Sequence, residues 1–220
     1  SRKVKTHVTG KGKTVWAVAF GQDMNIAFGQ TYEGGDDSNR GPLKKSFDFS
    51  EMALARQGSK KSKFTRTQRK YQGKTVERVS SQELKVKGVG TFETPIEDGD
   101  VKSYTFTKDG NIAVGSADTL RLFQIDGTLI RELVGHTDAV WAVSISEDGR
   151  LLASASDDQT IKLWNPQTGE LLATLFVATD NEWICWTPQG YYAASAGGEK
   201  YIGWHINQGG DNAAKFHPVS

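Results

Sequence analysis

The sequence predicts an all-β chain of small four-stranded sheets set around a common axis. Three observations carry this: a turn signal recurs about every forty residues, the runs between turns alternate apolar and polar residues with a period of two, and no capped stretch has helical periodicity. Asp109, Asp148 and Gln189 centre the turns KDG, EDG and PQG, which stand 39 and 41 residues apart. An earlier turn, QDM at 22–24, lies 86 residues before Asp109, about two such periods. YQGKTVERV at 71–79 supplies the turn between them, at Gly73. Composition agrees, since 24 Gly against 5 Pro, with 6 Trp, 6 Tyr and 10 Phe, suit tight turns between short aromatic-rich strands.

Taken in order, the units fall at approximately 14–57, 63–97, 101–134, 139–177 and 182–207. The fourth is the clearest. AVWAVSI at 139–145 leads to the Asp148-Gly149 turn, RLLASAS at 150–156 follows, and Asp157-Asp158-Gln159 turns the chain into TIKLWN at 160–165. Pro166 to Gly169 makes the next turn, and ELLATLFV at 170–177 is the fourth strand. A four-stranded sheet cannot bury both its faces alone. Stacked around an axis, such sheets cover one another, which is the architecture of a β-propeller.

The stretch VGHTDAVWAVSISEDGRLLASASDDQTIKLWN at 134–165 resembles a WD repeat, with Gly135-His136, an Asp in the turn before the third strand and a terminal Trp164. The resemblance implies a hydrogen-bonded tetrad of His136, Ser154 (or Ser156), Asp158 and Trp164, a network that satisfies buried polar groups and fixes blade geometry. The other units are degenerate. The unit at 101–125 keeps Asp118, has Phe123 in place of the tryptophan and lacks the Gly-His pair. The last unit keeps Trp204 without the histidine or the turn Asp, and the first two lack the tetrad and must rely on apolar packing.

A narrower resemblance spans roughly residues 15–218. WTPQGYYAASAGGEKYIGWHINQG at 186–209 running into DNAAKFHPVS, GPLKKSFDF at 41–49 and VGSADTLRLF at 114–123 are similar to the WD-repeat region of bacterial proteins that also carry a caspase-like peptidase domain. It implies a recognition or sensing module of a larger effector, with any peptidase chemistry outside this chain.

Two readings of the ring stand side by side. In one, KVKTHV at 3–8 closes the fifth blade as its outer strand, because the chain offers no obvious strand after Trp204. In the other, the chain is a segment of a larger ring of about seven blades, and its open faces self-associate.

Charge and composition bound the chemistry. With 27 basic and 26 acidic residues, the chain is not a dedicated nucleic-acid arm, and one cysteine excludes a disulfide framework or a multi-thiolate zinc site. Four scattered histidines suggest no metal centre; VWAVAF at 15–20 is too short to span a membrane, and a soluble cytoplasmic protein is expected. TGKGKT at 9–14 lacks the first glycine of a phosphate loop, where His7 stands, and leads into a strand, so it reads as an interblade turn. His136, Asp158 and a serine have the residue types of a hydrolase triad, but their spacing assigns them to the tetrad. Cys185, in WICW, reads as an apolar filler, and His205 and His217 have no partner at ligand spacing. The Gly-rich insertion at 32–41, with Asp36 and Asp37, reads as a solvated loop. No catalytic residue, metal or cofactor is expected.

Two surfaces qualify as contact sites for partners. Loops between one unit's outer strand and the next unit's inner strand, with the second-to-third-strand turns, would present Lys11, Lys13, Asp98, Asp100, Asp118, Thr137, Asp138, Asp157, Asp180 and Asn181 to a protein. The segment 44–87 holds 13 basic residues against 4 acidic ones, among them Lys60, Lys61, Lys63, Arg66, Arg69 and Lys70. It reads as solvated outer strands that discourage edge pairing, as a surface for nucleic-acid phosphates, or as one for an acidic protein.

Overall fold

The computed structural model of the protein describes residues 6–8, 11–21, 24–32, 41–56, 64–206 and 215–218. Within these residues the regular structure is strand throughout, apart from two single-turn 3-10 segments at Ile96–Asp98 and Glu199–Tyr201. After β1 (Thr6–Val8), the first blade is a meander of β2 (Ala17–Phe20), β3 (Asn25–Gly29), β4 (Lys45–Asp48) and β5 (Ala53–Arg56). The second comprises β6 (Lys70–Tyr71), β7 (Lys74–Arg78), β8 (Glu83–Val86) and β9 (Gly90–Glu93). The third runs β10 (Ser103–Phe106), β11 (Ile112–Gly115), β12 (Leu120–Phe123) and β13 (Leu129–Glu132). The fourth starts with β14 (Val140–Ile145), β15 (Leu152–Ser156), β16 (Thr160–Trp164) and β17 (Leu171–Val177).

Four antiparallel blades thus form a β-propeller, the architecture the turn period predicts, with one blade fewer than its five units. Burial explains the alternation along each blade. Every residue of β2 and β10, the inner strands of their blades, is buried, while the outer β9 and β13 contain no buried residue. Three apolar seams hold the blades. Leu84 and Val86 of blade two meet Phe106 and Ile112 of blade three. Leu120 and Leu122 of blade three meet Val143, Leu152 and Trp164 of blade four. Ile161 and Leu175 of blade four meet Phe28 and Phe47 of blade one.

Blade one also bonds to the segment that leads into blade two. Phe20 and Thr65 exchange backbone hydrogen bonds of 3.0 and 2.6 Å. Ser144 Oγ donates to the Thr65 carbonyl at 2.9 Å, and the Phe106 amide donates to the Gln68 carbonyl at 2.7 Å. Residues 64–69 therefore bridge blades one, three and four at one end of the inner strands, and only Lys70–Tyr71 is left as the inner strand of blade two.

The expected fifth unit departs from its prediction. β18 (Trp183–Trp186) pairs with β17, and β19 (Tyr192–Ala194) with β18, so both extend the sheet of blade four to six strands. The cause is local: Asn181 adopts a left-handed φ of 69° and turns the chain back on itself, and Trp183 and Cys185 then join the seam with blade one. The rings of Trp183 and Phe47 lie 4.8 Å apart, edge to face. β20 (Ile202–Ile206) pairs instead with β1 and with β21 (Lys215–Pro218). A strand does follow Trp204, therefore, and the N-terminal strand joins β20 in a separate three-stranded sheet. Of the segment 3–8, residues 3–5 lie outside the described residues.

Candidate protein-interaction face

The same tetrapeptide VWAV leads into β2, at 15–18, and starts β14, at 140–143. Equivalent positions in neighbouring blades bring Trp16 and Trp141 together, with ring centroids 4.6 Å apart. Tyr32, 58% exposed, lies tilted against Trp16 with ring centroids 4.6 Å apart. Lys102, just before β10, places its ammonium 5.3 Å from the Trp141 ring centre and 3.3 Å from Asp100 Oδ2. Both tryptophans are half-buried. Asp157 fixes the platform, accepting from Trp141 Nε1 at 2.8 Å and from Thr14 Oγ1 at 2.5 Å.

Around this aromatic centre the expected contact residues fall into three groups. Lys11, Lys13, Asp100, Asp118, Thr137, Asp138 and Asp180 are exposed, whereas Asp157 and Asn181 are half-buried. The Lys11 carbonyl accepts from the Thr179 amide at 3.0 Å, which sets the chain's entry to blade one beside the Asp180 turn. Asp180 accepts from Lys200 Nζ at 3.0 Å and Tyr201 Oη at 2.5 Å; the Tyr201 bond comes first in holding its carboxyl down to about 2. Asp98 stands apart from the contact surface. It is 2% exposed and its Oδ2 pairs with Arg121 Nη1 at 2.8 Å, because the 3-10 turn tucks it under blade three. Burial raises its carboxyl above the ordinary range against the pull of Arg121.

Lys60, Lys61 and Lys63 lie outside the described residues. The other three members of the basic group point to different places. Arg66 Nη2 donates to the Gly41 carbonyl at 3.0 Å, Arg69 lies 4.9 Å over the Tyr104 ring, and Lys70 is exposed.

The tetrad residues meet at the edge of the same face. Indole nitrogen can only donate, so Trp164 Nε1–H is given to Ser154 Oγ at 2.8 Å, and the serine hydroxyl donates in turn to His136 Nε2 at 2.7 Å. That order leaves the proton on Nδ1, which donates to Asp158 Oδ2 at 2.6 Å. Thr160 Oγ1 donates to the other carboxylate oxygen at 2.6 Å. Ser156 is bonded elsewhere, to the Asp138 carbonyl at 2.8 Å. Burial lowers the pKa of His136 despite Asp158, so the imidazole is neutral. For Asp158 burial acts upward, but the bonds from His136 and Thr160 outweigh it and hold the carboxyl at about 2. The serine faces blade four's interior and is wholly buried. Cys185 is buried as well, and desolvation pushes its thiol up to about 12.

Trp16, Tyr32, Trp141 and Lys102 are absent from the expected contact set. The repeated VWAV was the available signal, since a large aromatic at one register position in two adjacent blades must converge near the axis.

Fold and site together define a β-propeller, one stretch of which matches a WD repeat. Residues 127–165 match the family model "WD domain, G-beta repeat". The nuclear distribution protein PAC1 of Tuber melanosporum is 38% identical over 81 residues, 35% of this chain and 18% of that protein. Human apoptotic protease-activating factor 1 is 36% identical over 113 residues, 46% of this chain and 9% of that protein. Eukaryotic translation initiation factor 3 subunit I of Aspergillus oryzae is 31% identical over 88 residues, 39% and 26% of the two. The similar stretch spans about a quarter or less of the length of these relatives, all eukaryotic. Among solved structures, the designed Ika8 protein superposes with a TM-score of 0.43 at 21% identity, over 79% of this chain and 58% of that one.

Proposed function

We propose that this propeller is a non-catalytic protein-interaction scaffold whose contact face centres on Trp16, Tyr32 and Trp141. The observation that carries the reading is the aromatic platform itself: Trp16 packs against both Tyr32 and Trp141, the group is partly open, Asp157 holds Trp141, and exposed charge surrounds them. Partly exposed aromatics with a polar rim are the composition of binding hot spots. The similarity to an initiation-factor subunit supports a place in a multi-protein assembly. The finer reading is a recognition module of a larger bacterial, cytoplasmic effector with a caspase-like peptidase domain. It rests on the resemblance at 41–49, 114–123 and 186–209. A single buried cysteine suits a reducing compartment.

Immobilised protein incubated with nuclease-treated lysate tests this. Wild type is expected to retain a specific protein that the doubly substituted Trp16→Ala/Tyr32→Ala chain retains at least tenfold less. Equal retention by both would refute this face, and loss of all retention on nuclease treatment would transfer the role to nucleic acid.

A further inference from the structure

At the other end of the inner strands lies a cleft of about 430 Å³ that the protein-binding reading does not use. We propose that it binds a small, flat aromatic acid. Its floor is Phe20, Phe106 and Ile145, each at the far end of an inner strand from the tryptophans and each no more than 3% exposed. Tyr71 makes one wall, 5.8 Å from the Phe106 ring, and is backed by the turn at Gly110, where a Cβ would lie 2.4 Å from Tyr71 Cε1.

The hydroxyls of Thr107 and Ser146, next to the floor residues, are already committed. Thr107 Oγ1 accepts from the Asn111 amide at 3.1 Å. Ser146 Oγ donates to Asp148 at 2.6 Å and accepts from the Leu151 amide at 3.0 Å. Water on this floor gains few hydrogen bonds, and a flat ring displaces it favourably. The volume lies within the range of small-molecule sites, about 300–1,000 Å³.

Charge sets the class of ligand. Lys70 and Lys108 stand on the rim, exposed and without an ion-pair partner among the described residues, against a single acid, Glu147. Lys108 is positioned rather than free: its stem crosses the Asp148-Gly149 turn, where a Cβ at Gly149 would meet Lys108 Cγ at 2.5 Å. The repeating turn glycines thus seat both the aromatic wall and one cation. A carboxylate on a ring lying against Phe106 and Tyr71 meets these ammonium groups.

Indole-3-acetate, titrated by isothermal calorimetry or saturation-transfer NMR, is the direct probe, with tryptamine as its cationic counterpart of like shape. Indole-3-acetate is expected to bind at least tenfold more tightly than tryptamine, and Lys70→Ala/Lys108→Ala to weaken it at least fivefold with unchanged circular dichroism. Trp16→Ala/Tyr32→Ala should leave it unchanged, which separates this site from the protein-binding face. Failure of indole-3-acetate to bind, equal affinity for both probes, or indifference to loss of the two lysines would each overturn the proposal.

Discussion

His136 shows how one residue ties stability to pH. Its ring is neutral, buried and bonded on both nitrogens, so His136→Ala strands Asp158 and Ser154 without their partner. The expected loss is about 2–4 kcal/mol, read from chemical denaturation. The sign of the pH effect follows from the lowered pKa: below about pH 6.5 the unfolded chain takes up a proton that the folded one refuses. Stability should therefore fall on acidification from pH 7 to 5, and His136→Ala should flatten that slope. Asp158 adds a further loss below about pH 4, as pH falls toward its folded value of about 2. Cys185, with its thiol pushed up to about 12, should resist a thiol reagent in the native state and react once the chain unfolds; rapid labelling of the folded protein would contradict its burial. The four residues of the hydrogen-bond chain were readable because one repeat carries them at family spacing. Asp98 was not, because its burial depends on Arg121, a residue of the next unit that no local pattern links to it.

At the scale of elements, the strands of blade four were legible almost to the residue. TIKLWN at 160–165 is β16 at Thr160–Trp164, and ELLATLFV at 170–177 is β17 at Leu171–Val177. A period of two and a turn residue are local, so the sequence displays them. Pairing partners are not local, and here the reading failed: WICW was legible as a strand, but not as the fifth strand of blade four. Trp183→Ala tests that placement, since it empties the seam against Phe47 and should cost about 3–5 kcal/mol. An unchanged melting temperature would place β18 elsewhere. Blade three offers a second test. Arg121→Met leaves Asp98 buried without its cation and should destabilise by about 3–5 kcal/mol, while the double variant with Asp98→Asn should recover much of the loss.

Across the whole molecule, the shared direction of the inner strands gives the propeller two unlike ends. Trp16 and Trp141 open one end beside Lys102 and Asp157, whereas Phe20, Phe106 and Ile145 floor the other under Lys70 and Lys108. The turn period predicted the propeller because every blade must reverse the chain near the axis. It could not reveal that residues 64–69 would bridge three blades, which depends on backbone pairing with Phe20 and on the side-chain hydroxyls of Thr105 and Ser144. In the proposed function, proteins dock at the tryptophan end. A photo-cross-linking residue placed at Tyr32, compared with one at Lys108, tests it most directly, because both sites are exposed and lie at opposite ends. A protein adduct of defined mass is expected from Tyr32 and not from Lys108; adducts only at Lys108, or none at Tyr32 with a partner bound, would rule out docking at the tryptophan end.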